Sequence, residues 1–240
     1  MPSKSETGHA KNVANFEDLI TRVESLGAAY NPSKAGLQLA SLKTKHAEAA
    51  ASLQNLATAL PLYQQAVDAR EAAFAPLSKL VTRALNMFKA LASNPAKVES
   101  AAALAGKIRG FTAPKPVAKE GEEPVKTIST SQTSYDMQIA NFSLFVEVLA
   151  ANAAYQPNEE ELTVIGLQAR LADLRIKSQA VTEAQANVDA ARTNRNTHLY
   201  TPGNGLVDIG TGVKTYVKAA FTPDKSNYKP ILSLEFRNSK

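Results

Sequence analysis

Three histidines, His9, His46 and His198, are the only imidazoles in the chain, and imidazole is the side chain best suited to metal ligation and to proton transfer near neutral pH. None has a second histidine three or four residues away, so the helical spacing that places two ligands on one metal is missing. The 240 residues contain no cysteine, which excludes thiolate metal sites, cysteine nucleophiles and disulfides. No catalytic set, metal or cofactor is expected, and no small-molecule substrate is evident. His46 falls on an apolar helical face and reads as a hydrogen-bonded structural histidine. His198, in RNRNTHLYTPGNG, suits a cationic or capping role at a helix end. His9 is expected in a tail, mobile if unpaired.

The run GLVDIGTGVKT has the GxxxxG spacing of a phosphate-binding loop between Gly205 and Gly210. Thr211 stands where that loop needs its lysine, and no strand precedes it. Gly205, Gly210 and Gly212 instead fit close packing at a helix start. Arg70 and Arg195, with Arg192 beside the latter, fall on predicted inner helix faces, where a guanidinium needs carboxylate or carbonyl partners to offset desolvation. A structural arginine is the first reading, an anion site the second. Asn15 and Asn141 stand directly before Phe16 and Phe142 and read as helix-start residues.

The arginine and asparagine pairs are positioned by a repeat. NFEDLITRVESLGAAYNP from Asn15 is answered by NFSLFVEVLAANAAYQP from Asn141. Ser5, Thr7, Val13, Asn15 and Phe16 align without a gap on Ser131, Thr133, Ile139, Asn141 and Phe142. After a one-residue deletion, Tyr30, Pro32, Leu37, Leu42 and Arg70 align on Tyr155, Pro157, Leu162, Leu167 and Arg195. Met87 then falls against Tyr216, and the copies close at Phe111 and Phe236. The expected organisation is a first repeat over 1–111, a Pro-, Lys- and Glu-rich linker over 112–130, and a second repeat over 131–240 ending in a strap.

Each copy is expected to hold a short helix, a long helix and a short helix, giving an all-α, internally duplicated, elongated bundle with one long helix per repeat. Abundant alanine and long stretches free of glycine and proline support that class. Asn31 with Pro32 predicts the start of the first long helix. Pro157 and the three glutamates Glu159, Glu160 and Glu161 predict the second. The first long helix carries an inner seam of Leu42, His46, Ala49, Leu53, Leu56, Leu60, Tyr63, Val67, Arg70 and Phe74 at heptad spacing. The matching seam from Leu167 to Leu199 turns polar after Ser178, and its Arg192 and Arg195 are expected to meet a partner or water. Pro61 is expected to kink the first long helix, where the second has Ala186. Leu77 to Leu91 and Leu206 to Phe221 are the third helices, and YKPILSLEF reads as a strap or a short strand.

The formal net charge is +5, and all of the excess lies in the first copy: 13 Lys or Arg against 8 Asp or Glu in residues 1–111. These bases are interleaved with acids and no DNA- or RNA-binding module is recognisable, so nucleic acid is a partner not favoured over a solvated lysine face. No apolar run has the length of a signal peptide or a membrane span, and FSLFVEVLAANAAY, with Glu147 inside it, is too short to insert. A cytoplasmic chain is expected, with export by another route left open.

SETGHAKNVANFEDLI, AYNPSKAGLQLASL, YQPNEEEL and GLVDIGTGVKTYVKAAF together resemble a family of uncharacterised bacterial all-helical proteins opening with SETGHAKNVANFE. The resemblance covers most of the chain. It implies a bacterial, helical, duplicated protein and brings no activity, cofactor or binding residue. The function expected is a non-enzymatic structural or interaction protein that self-assembles through its long helices into a homo-oligomer, filament or layer. The alternative is a basic nucleic-acid-associated protein using the first repeat.

Overall fold

A computed structural model of the chain describes residues 4–92, 94–111, 133–221 and 228–238, with side chains from residue 8 onward. The expected linker 112–130 lies outside the described residues. Eight helices and no strand occur among the described residues, which makes the fold all-α.

The first helix, α1, runs from Lys4 to Glu24. Phe16, Leu19, Ile20 and Val23 line its buried face at helical spacing. Asn15 is therefore an interior helix residue and not a helix start. Asn141 is likewise inside α5, Tyr135–Ala150, whose cap is Ser134, accepting from the Met137 N–H.

The long helices start later than Pro32 and Pro157 predict. Between α1 and α2, Leu39–Phe74, the chain makes the 3-10 turns Gly27–Ala29 and Ala35–Leu37. The Tyr30 hydroxyl donates to the Leu37 carbonyl at 2.6 Å, pinning the connection before the helix can begin. The Asn31 N–H is not part of a cap; it donates to the Tyr216 hydroxyl at 3.2 Å. Before α6, Val164–Tyr200, the same lock recurs as Tyr155 to the Leu162 carbonyl at 2.7 Å, across the 3-10 turn Glu160–Leu162. Thr163 Oγ1 then accepts from the Gly166 N–H, 3.0 Å, so a threonine cap starts α6 and the glutamates precede it.

At 36 and 37 residues, α2 and α6 are each about 55 Å long. Helix α2 is continuous through Pro61. Its expected seam is buried at Leu42, Ala49, Leu56 and Phe74, whereas Leu60 is exposed.

Helix α3, Leu77–Leu91, is followed by a helix that the short-long-short reading misses: α4, Pro95–Ile108. Asn94 Oδ1 accepts from the Ala96 and Lys97 N–H groups, and Pro95 takes the first helical position, where its missing donor costs nothing. Helix α7, Leu206–Ala220, is the expected third helix of the second half. The last described segment is one helical turn, α8, Lys229–Leu232, and then an extended strap from Leu234 that is not a strand.

The chain divides into two compact units, residues 1–63 with 184–240, and residues 64–183. These boundaries cut across the division at 112–130. In the first unit, α1 and the start of α2 share a core with the end of α6, α7 and α8, through residues such as Phe16, Leu19, Leu42, Leu199, Leu206 and Val213. Within it Tyr30 meets Tyr216 edge-on at 5.3 Å, and α7 packs on the turn Ala35–Leu37. In the second unit, α5 and the start of α6 share a core with the end of α2, α3 and α4, around Phe74, Leu77, Phe88, Phe142, Phe145 and Leu167. There Tyr155 meets Phe88 edge-on at 5.8 Å, and α3 packs on the turn Glu160–Leu162. The physical reason is length. A 15-residue helix such as α3 or α7 covers less than half of a 36-residue one, so each long helix is divided between two cores.

Candidate functional site

The most specific polar arrangement lies in the first unit, where the strap crosses α1 and α7. Its central residue is Asn12, a buried amide on the same helical face as Phe16 and Val23. An amide enclosed there needs both its donor and its acceptor satisfied. The strap backbone does this: Asn12 Nδ2 donates to the Arg237 carbonyl at 2.7 Å, and the Arg237 N–H donates to Asn12 Oδ1 at 3.0 Å. One turn further on, Asn15 Nδ2 donates to the Glu235 carbonyl at 2.7 Å. From α7, Lys214 Nζ donates to the Leu234 carbonyl at 2.5 Å.

Side-chain packing complements these bonds. The Phe236 ring rests on Gly210 of α7, where an added Cβ would stand 2.8 Å from the ring. It also meets Phe16 of α1 edge-on at 6.1 Å. Leu234 and Phe236 face inward, half-buried, while Glu235 and Arg237 face water and pair with each other at 2.6 Å. The Arg237 hydrogen bond and its charge hold the Glu235 carboxyl below the usual range. Beside the groove, His9 Nδ1 lies 2.5 Å from the Tyr200 hydroxyl, which also accepts from Asn12 Nδ2 at 3.3 Å. The groove therefore grips an extended chain through its peptide groups and admits one aromatic side chain.

Of the residues singled out from the sequence, Asn15, His9 and Gly210 meet at the strap, and the others are dispersed. His9 is buried within α1 and bonded to Tyr200, not held in a tail. His46 is half-buried on α2. His198, in the last turn of α6, lies 3.4 Å from Glu48, whose carboxyl is lowered first by its hydrogen bond from Lys45 and then by the Lys45 and His198 charges. Arg70 places its guanidinium 4.1 Å from the Tyr135 ring centre, a cation–π contact in place of a carboxylate. Arg195 is buried and donates through Nε and Nη2 to Asn196 Oδ1, at 3.1 and 2.9 Å. Arg192 is exposed and pairs with Asp189 at 3.3 Å. Asn141 is buried on α5. Gly205 packs against the Leu199 carbonyl, where a Cβ would approach to 2.7 Å, consistent with close approach at a helix start.

Sequence reasoning missed Asn12, Lys214 and the role of Phe236. The signal for Asn12 was present: a polar residue four positions before Phe16, on the face that His9 and the apolar residues of α1 share. Nothing local marks Lys214, because its partner is a distant carbonyl. A hollow of about 480 Å³, lined in part by Leu80, Glu161 and Arg170, lies in the second unit and is open to solvent. Arg170 is committed there to Asp173 and to the Ala73 carbonyl, so it offers little to an anion.

No group of three metal-ligating side chains and no helix long and apolar enough to cross a membrane occurs among the described residues. Comparison with protein-family models, curated proteins and solved structures finds no match to this chain.

Proposed function

We propose that the chain is a non-enzymatic structural or interaction protein that self-associates through its long helices, with a filament or layer subunit as the most specific form. The observation that carries this reading is Leu60, Pro61 and Leu62, three consecutive apolar residues exposed in the middle of α2. A helix that buries one face leaves polar residues on the other, and an uninterrupted exposed apolar run is a cost that a partner surface removes. Ile165 and Ile176 on α6 are 78% and 62% exposed and add to it. The measurement is mass against concentration by light scattering, with electron microscopy of any large species. Mass should rise with concentration, and Leu62→Glu should suppress the rise. A strict monomer at high concentration would overturn the reading.

Nucleic-acid binding by the first sequence copy gains no support from the arrangement of its bases. Lys43, Lys45 and Arg83 are paired with Glu24, Glu48 and Glu161. Lys97 and Arg109 donate to the Ala151 and Ala105 carbonyls.

A further inference from the structure

We infer that the groove between α1 and α7 is a recognition site for an extended peptide of the pattern apolar-x-aromatic-x, and that residues 228–238 of a second copy of this chain can occupy it in place of the chain's own strap. Three observations lead to this. First, the bonds from Asn12, Asn15 and Lys214 all go to main-chain atoms of residues 234, 235 and 237, so they hold any segment with that backbone path. Second, within the extended part, residues 234–238, the side chain with the most specific seat is Phe236, on a position that only glycine leaves open, while Tyr228 and Ile231 of the turn before it are buried in the same core. Third, the occupant already present belongs to this chain, so a second copy carries a segment of the same fit. Extended-peptide grooves combine main-chain bonds for affinity with a pocket for specificity in the same way.

Groove and strap are different surfaces of one unit, so a strap donated from one copy to the next makes a heterologous contact that leaves a groove and a strap free at the two ends. In that respect the inference rests on the self-association reading and supplies a second contact for it, beside the long helices.

The test uses two full-length variants. Phe236→Ala removes the anchor and leaves the groove open to an acceptor role. Gly210→Val fills the notch and leaves the strap available as a donor. Circular dichroism and melting temperature establish that each is folded. Mixed in equal amounts, each carrying Leu62→Glu to silence the exposed run on α2, they should form a one-to-one complex by light scattering, while neither dimerises alone at the same concentration.

A fluorescent peptide with the sequence of residues 228–238 provides the second readout. It should bind Phe236→Ala at least about tenfold more tightly than the parent chain, whose own strap competes. Adding Asn15→Ala, a half-buried position, should weaken that binding about fivefold, the equivalent of one hydrogen bond. Folded variants that form no complex and bind no peptide would overturn the inference. If the parent chain still self-associates in that case, the proposed function stands and the contact lies elsewhere; a parent that stays monomeric while the variants pair overturns the proposed function alone.

Discussion

Tyr30 and Tyr155 each give up a solvated hydroxyl to lock the connection ahead of a long helix. Burial, reinforced by Tyr216 beside Tyr30 and by Glu159 beside Tyr155, pushes both hydroxyls up to about 12. An unfolded tyrosine ionises near pH 10, so the folded chain holds these protons more firmly. Their contribution is complete below pH 10 and is lost as pH rises towards 12. The melting temperature should fall between pH 10 and 12, and part of that fall should disappear in Tyr30→Phe/Tyr155→Phe, measured by circular dichroism. Glu48 acts in the opposite sense: its carboxyl is lowered, so its contribution is present above the ordinary carboxylate range and lost as pH falls through the folded value. Glu48→Gln should flatten the acid limb of the stability profile. Both tyrosines stand out in the sequence as aligned residues, but their locks do not, because a hydroxyl seven residues from its acceptor carbonyl leaves no periodic trace.

At the scale of the element, Pro61 deprives the interior of α2 of one backbone donor, and the matching position in α6 is Ala186. Pro61→Ala should raise stability by about 1–3 kcal/mol, read from urea midpoints. In the second unit, Phe88→Ala removes a fully buried ring that meets Tyr155, and should cost about 3–5 kcal/mol in the same titration. Helices α3 and α7, and α1 from Phe16 onward, were legible because their apolar residues recur every three or four positions, whereas the start of α1 at Lys4 was read as a tail. Helix α4 was missed although Asn94 and Pro95 spell a helix start, because its alanine-rich run carries a weak apolar stripe. The starts of α2 and α6 were misplaced for a related reason: proline after asparagine or glutamine marks a helix start only when no competing tertiary bond claims the next residues.

For the whole molecule, each compact unit takes residues from both sides of the segment 112–130. A protease site inserted in that segment of the full chain should be cut without separating the fragments, which should run together in size exclusion and part only in denaturant. Fragments that separate in native buffer would mean that one core holds without its distant half. The sequence phrases predict two repeats, over 1–111 and 131–240, and the compact units are drawn otherwise, because a repeat records similarity between segments and not which segments meet. The division also orders events during synthesis. Residues 64–183 are contiguous and leave the ribosome ready to close their core, whereas Phe16, Leu19 and Leu42 need Leu199, Leu206 and Val213, made much later. At typical elongation rates that delay is on the order of ten seconds. Through it the earliest helices present their apolar faces to solvent or to a chaperone, and the unit begun first is the one completed last.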